Sequence, residues 1–279
     1  MSRLKLSLGL NVRDTPGQLV RKGRLAEEVG LDGVWVSDLP SERYAPAMAA
    51  VLAGETEKVR IGVGPLSPIL HPVEHIAKSI RTLIDLFGDR FDLLIAAGDR
   101  ERLKAVGVEY PPSLPSRMVR ALRQIRSRLG RYNTVCRILL GAQGPQMLKA
   151  SRKFDGVLIN FSDTEMLRWA IEKARPSSRS FEVGIFAPAY IHSRLNPRIR
   201  EMALSAATIV AAGAPPAVAR RFRLFPSSGD IVTRFCIIKK VEEFRRYLSE
   251  LEGLGIEQAV LSFPQGYSVR TIRDLAGVK

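Results

Sequence analysis

Short apolar runs take turns along this chain with stretches whose apolar positions recur at helical spacing. LKLSLGLNV (4–12), GVWVSD (33–38), KVRIGVG (58–64) and FDLLIAAGD (91–99) are nearly continuous apolar runs, and each reads as a strand. Between them PGQLVRKGRLAEEVG (16–30), YAPAMAAVLAGET (44–56) and PVEHIAKSIRTLIDLFG (72–88) read as helices, the first of them stopped at Gly30. Helical material fills 100–130, broken by Pro111, Pro112 and Pro115. VCRILL (135–140), a short helix and FDGVLINF (154–161) continue the alternation, followed by a helix at EMLRWAIEKA (165–174) and a long strand at FEVGIFAPAYIH (181–192). PRIREMALSAATIVAAG (197–213) is a helix, FCII (235–238) a strand, and a helix then runs to Gly253. QAVLSF (258–263) is the last strand, and a final helix closes the chain.

Strands that alternate with helices predict a parallel sheet covered on both faces. Strands without a polar face suit such a sheet. About eight strand–helix units fit into 279 residues. At this length a single α/β domain over 1–279, a (β/α)8 TIM barrel, is the economical fold, with a doubly wound open sheet as the alternative. APPAVARRFRLFPSSGD (214–230) is the one loop-rich stretch and reads as an irregular excursion between barrel elements.

Composition narrows the classes. With 46% hydrophobic residues the chain has ample material for a core. No apolar run approaches the roughly eighteen residues of a membrane span. MSRLKLSLGLNV makes a poor signal peptide, because polar residues interrupt it and no small-residue cleavage site comes after it. The expected setting is cytoplasmic, with no membrane partner. Cys136 and Cys236 each lie inside an apolar run and read as buried thiols. The net charge is +15, from 43 Lys+Arg against 28 Asp+Glu, a balance suited to anionic partners. The basic residues are scattered, however. In the densest cluster Arg120, Arg123 and Arg126 stand three apart, as on one solvated helix face. With no nucleic-acid motif and no aromatic interleaving, a solvated or interface-forming surface is the reading, over nucleic acid.

In a barrel, chemistry collects at the C-terminal strand ends. There the chain places SDLPSER (37–43), GPLSP (64–68), AAGD (96–99), GAQGP (141–145), NFSD (160–163) and SFPQG (262–266). Asp38, Asp99 and Asp163 are the acids at these ends, open to proton chemistry or to helix capping. In GAQGP, Pro145 suits the first helical position, and Gly141 and Gly144 let backbone approach a ligand or simply turn tightly. His71-Pro72-Val73-Glu74-His75 has the spacing of an inverted zinc-protease motif, but Pro72 opens the helix and leaves His71 outside it. No nucleophile elbow, P-loop or G-x-G-x-x-G is present, and no metal is expected.

Together LAEEVGLDGVWVSD, TEKVRIGVG and HPVEHIAKSIRTLIDLFGDRFDLLIAAGD resemble the luciferase-like flavin and deazaflavin enzymes. GAQGPQMLKASRKFDGVLIN is similar to the coenzyme F420-dependent methylenetetrahydromethanopterin reductases of archaea. The resemblance runs from about residue 4 to 213 and resumes weakly over 231–272. It implies a barrel in homodimers or higher homo-oligomers. It also implies an anionic 8-hydroxy-5-deazaflavin, coenzyme F420, lying across the strand ends. The implied reaction is hydride transfer to a small-molecule substrate, a one-carbon pterin. An FMN-dependent luciferase-like monooxygenase is the alternative, and a barrel that has lost catalysis and serves as a binding protein is another. Residues implied at the cofactor are Asp38, Gly64, Pro65, Ser67, Gly98, Asp99, Gly141, Ala142, Gln143, Gly144 and Pro145. Asp99 is the implied catalytic acid. The resemblance further implies a cis bulge at the end of the third strand, which the Gly64–Pro65 bond can supply.

The chain also departs from those reductases. Their glutamate at the end of the first strand is here Gly9, and their Asp-His after the second strand is Asp38-Leu39. The stretch they insert before the fifth strand is missing. Their Ile-Ala-Gly-Thr-Pro run is IIKKVEE (237–243). A chain with Gly9 is expected to bind the deazaflavin yet reduce the pterin poorly, and Gly9→Glu to restore turnover.

Overall fold

β1 (Lys5–Leu10) lies between β2 (Gly33–Val36) and β9 (Gln258–Ser262), and from there the ladder closes into a barrel. The computed structural model describes residues 4–174, 180–194, 196–224 and 230–278. The ladder continues through β3 (Arg60–Leu66), β4 (Phe91–Ile95), β5 (Arg137–Ala142), β6 (Gly156–Ile159) and β7 (Glu182–His192), which pairs with β9. Every pairing is parallel. The expected barrel is thus the observed fold, with the eighth barrel strand supplied by QAVLSF. FCII does not enter the barrel. The short strand there, β8 (Ile237–Lys240), pairs with Ala189–His192, where β7 overshoots the rim.

Helices α1 (Pro16–Glu28), α2 (Ala45–Ala53) and α3 (Val73–Phe87) follow the first three strands, and α4 (Arg100–Ala105) and α5 (Leu114–Gly130) follow β4. After β5, β6 and β7 come α6 (Pro145–Ala150), α7 (Thr164–Ala174) and α8 (Pro197–Ala212). Thr15 starts α1 with a capping box to Gln18, whose amide faces back to the cap. The excursion is not irregular throughout: α9 (Pro216–Phe222) and α10 (Asp230–Phe235) fall within or at the end of 214–230, while 225–229 lie outside the described residues. Phe222 explains the helix at α9. It packs edge-on against Trp169 of α7, with ring centroids 5.4 Å apart. The chain ends with α11 (Val241–Gly253) and α12 (Val269–Arg273). Among the described residues no single helix is long and apolar enough to cross a membrane.

Inside the barrel the side chains form layers. At the N-terminal end Asp92 accepts from Arg60 Nη2 at 2.9 Å and from Arg137 Nε at 3.1 Å. Glu182 accepts from Lys5 Nζ at 2.8 Å and from Arg137 as well. Gln258 Nε2 donates to Ser7 Oγ at 3.1 Å. A small cleft bordered by Lys5, Ser7, Trp35, Arg60, Arg137 and Gln258 lies within this polar floor. Above it Trp35, Leu94, Leu139, Leu158 and Val260 form an apolar layer, separate from the larger core between strands and helices. Phe186 covers that layer edge-on to Trp35, at 6.1 Å.

Arg137 joins both buried carboxylates, and the guanidinium groups of Arg137 and Arg60 hold the Asp92 carboxyl below its usual range despite the opposing effect of burial. A carboxyl lowered in the folded state contributes stability above its unfolded value of 3.8 and loses it as pH falls through its folded value. Arg137→Met should therefore lower stability at neutral pH by about 3–5 kcal/mol, because two buried acids lose a partner. Urea unfolding at pH 7 measures this, and the deficit should shrink at acid pH as Asp92 becomes able to protonate.

Candidate functional site

At the C-terminal rim the strand exits carry small residues, and each has a local reason. Gly64 at the end of β3 has φ +115, where a side chain is strained, and a Cβ there would lie 2.3 Å from the Leu94 carbonyl oxygen. The Gly64–Pro65 bond is cis, as expected, and the β3–β4 register slips between Val63 and Leu66. The bulge is therefore present. Ser67, just beyond it, donates to the Ala97 carbonyl at 2.8 Å and accepts from Ile69 N at 3.2 Å. Its hydroxyl ties the exit of β3 to that of β4.

The rim acids have one task in common. Asp38 accepts from Ala45 N at 3.1 Å, Asp99 from Arg102 N at 2.9 Å, and Asp163 from Met166 N at 2.9 Å. Asp99 and Asp163 immediately precede α4 and α7, whereas Asp38 reaches the first amide of α2 from the end of β2, and each satisfies an amide that the helix leaves free. Asp99, the expected acid, is exposed, and its neighbour Gly98 accepts from the Tyr110 hydroxyl at 3.4 Å. Burial pushes the Tyr110 phenol up. Asp38 is buried, and both of its oxygens are taken: Oδ1 by Ala45 N and Oδ2 by His71 Nε2, at 2.7 Å. The pairing with His71 is a feature that sequence reasoning missed. Its sequence signal is a histidine just before the helix-opening Pro72, one strand on from an acid at a strand end.

The histidines of the H-x-x-E-H stretch part company. Pro72 stands at the cap of α3, His71 turns to Asp38, and Glu74 pairs with Arg128 of α5. Both cysteines are free thiols, which burial pushes up to about 12. On α5 Arg120 and Arg123 are exposed, while Arg126 reaches Asp155 at 2.6 Å.

Packing accounts for the Gly-x-x-Gly-Pro turn. A Cβ on Gly141 would lie 3.0 Å from the Ala96 Cβ, so the glycine lets β5 pass the end of β4. A Cβ on Gly144 would lie 2.8 Å from Pro215 Cγ. Gly144 is thus closed over by the segment between α8 and α9, and Pro145 begins α6. Ala142 is buried. Gln143 leaves one polar group unmet: its Nε2 is buried without a partner among the described residues. A buried amide donor is costly to leave unmet.

At Gly9 the hypothetical Cβ lies 3.0 Å from both Cα and Cβ of Ser262 and 3.5 Å from Phe186. The inward positions at the rim, Gly9, Ala96, Gly141 and Ser262, are all small, and they sit above the layer formed by Trp35 and Phe186. A flat fused ring fits such a floor, with the bulge as a backing and Gln143 as a donor. The residues present thus fit a deazaflavin or flavin, except at Gly144, which Pro215 already covers.

The chain is similar to several known proteins. The family description "Luciferase-like monooxygenase" matches residues 3–126. The chain is 29% identical to a 5,10-methylenetetrahydromethanopterin reductase of Archaeoglobus fulgidus over 72% of this chain and 68% of that one. Its fold matches the coenzyme F420-dependent tetrahydromethanopterin reductase of Methanopyrus kandleri with TM-score 0.82 at 18% identity, covering 99% of this chain and 98% of that one. It also matches an F420-dependent secondary alcohol dehydrogenase in complex with an F420–acetone adduct, with TM-score 0.77 at 15% identity over 100% of both chains. The luciferase-like resemblance read from the sequence is borne out.

The Gly9 geometry changes what a side chain there should do. Gly9→Ala should destabilise the fold by about 1–3 kcal/mol, the usual cost of overpacking. Ser262→Gly should recover part of that loss, since it removes one of the two contacts. A double-mutant cycle by chemical denaturation measures both. Gly9→Glu should show the same loss of stability before any gain in turnover.

Proposed function

We propose that this luciferase-like barrel is an oxidoreductase that moves a hydride between coenzyme F420 and a one-carbon pterin or related substrate, at a carbon–nitrogen centre of the CH–NH type. The observation that carries the reading is the rim itself: a floor of small residues, the bulge that breaks the β3–β4 register and the unpartnered Gln143 amide. The reductase relatives support the same reading.

The deazaflavin, when bound, supplies the hydride chemistry, and the protein positions it and excludes water. Gly64 and Pro65 would back its ring, Gly98 and Gly141 would leave it room, and Ala142 and Gln143 would border it. Ser67, Asp38, Gly144 and Pro145 support this wall from behind by shaping the loops. Asp99, spent on capping α4, would act on the substrate only by giving up its bond to Arg102 N. A cytoplasmic enzyme of archaeal one-carbon metabolism accords with this reading.

The test is a titration of the purified protein with F420 and with FMN, followed by single turnovers with the reduced cofactor and methylenetetrahydromethanopterin. F420 should bind by far the tighter, and the pterin should oxidise the reduced cofactor. Preference for FMN with oxygen-dependent oxidation would establish the monooxygenase alternative. Tight F420 binding with no turnover of any CH–NH substrate would establish the binding-protein alternative.

The same reading includes a homo-oligomer. On α2 and α3, Val51 is 42% exposed and Leu86 64%, and the two helices meet where Phe87 faces Gly54. Large apolar side chains exposed on adjacent helices suit burial against a second copy. Leu86→Glu should shift the protein towards monomer in analytical ultracentrifugation and leave the fold intact by circular dichroism. An unchanged sedimentation coefficient would exclude this face.

A further inference from the structure

We propose that His71, oriented by Asp38, is the proton-transferring residue of this site; the inference rests on the reductase reading above. Reduction at a CH–NH centre needs a proton as well as a hydride. As the methylene carbon receives hydride, its bond to one ring nitrogen breaks, and that nitrogen takes a proton. The other acids offered for this by the sequence are accounted for. Gly9 has no side chain. Asp99 and Asp163 accept from Arg102 N and Met166 N, and Asp163 also meets Arg234 at 3.3 Å. Asp38 has both oxygens engaged.

His71 is different. It lies on the loop that leaves β3 just past the bulge, and its backbone N donates to the Ser67 carbonyl at 2.8 Å. The Asp38 carboxylate, 5% exposed, can only accept, so His71 Nε2 carries the proton of their 2.7 Å bond. Nδ1 then remains as the exchanging nitrogen, on an imidazole 19% exposed. This is the arrangement of a base held by an orienting acid. Tyr44 also packs against the ring, with its ring centroid 5.4 Å away and its hydroxyl occupied 2.8 Å from Ser79 Oγ.

In the forward direction the imidazolium gives its Nδ1 proton to the leaving ring nitrogen. It regains a proton from the one that oxidation of the reduced deazaflavin releases. One hydride and one proton leave the cofactor, and one of each reaches the substrate. Asp38 is the positioning residue: it holds the tautomer and touches no reacting atom.

His71→Gln and the smaller change His71→Asn test the role, beside Asp38→Asn. Both His71 variants should lose about 10²–10⁴ in kcat, with KM and the F420 dissociation constant little changed. A second readout needs neither cofactor nor turnover: nitrogen NMR of the free protein should show His71 protonated at Nε2 when neutral, a preference that Asp38→Asn weakens. If the natural protein turns over and both folded His71 variants match its kcat, the inference is wrong while the reductase reading stands. If the natural protein binds no F420, the reductase reading falls and this inference with it. A neutral His71 protonated at Nδ1 would also overturn the role given to Asp38.

Discussion

One cylinder must hold the inward side chains of eight strands, and the volume inside it constrains the strands, the rim and the site together. The Trp35 ring takes so much of that space that a Cβ on Gly62 would lie 2.1 Å from it. Glycine on β3 is therefore the consequence of tryptophan on β2. Leu94, Leu139, Leu158 and Val260 complete the layer. With its middle filled by apolar residues, the barrel divides into two ends. The N-terminal end is closed by a web of opposite charges. The C-terminal end is paved with small residues. A packed barrel interior with chemistry confined to one end is what this fold is built to provide.

The same economy governs the acids at the rim. Each strand hands over to a helix whose first amides lack partners, and a carboxylate at the junction answers that need. Asp99 and Asp163 do this and stay at least partly exposed. Asp38 does it while buried, and a buried carboxylate with a lone pair to spare gathers a second donor. His71 is that donor. A capping residue thereby becomes an orienting one, with no change in its own position.

The strand–helix alternation could be read from the sequence because strands buried on both faces leave an unmistakable run of apolar residues. The barrel followed from the count and the length. Other features could not be read, for reasons of distance. That β8 sits outside the ladder depends on β7 being long enough to pair twice, with β9 below and with β8 above. α9 exists because Phe222 finds Trp169, a partner far away in sequence. Gly144 looked like a place for ligand backbone contacts, yet Pro215 fills its side-chain position. The bulge was legible, because the family resemblance implies one at the end of the third strand and the adjacent Gly64 and Pro65 can supply it. The role of His71 was not, because a zinc-like spacing and a helix-opening proline drew attention to its neighbours in sequence rather than to Asp38 across the rim.

The end of β1 leaves a side chain little room. At Gly9 the neighbouring strands occupy the volume a side chain would need, so Ser262 and Phe186 now border the position. The packing therefore favours glycine at this position, and adding a side chain would disturb two neighbouring strands. A proton donor is more readily gained on a loop, where a side chain can turn without altering the ladder. The loop after β3 is anchored at both ends, by Ser67 to Ala97 and by Pro72 at the start of α3. Between those anchors an imidazole can be held by a carboxylate that was needed for capping in any case. Closed packing in the barrel interior and a rigid loop beside the bulge thus place the reactive proton on the rim, where the substrate has to approach.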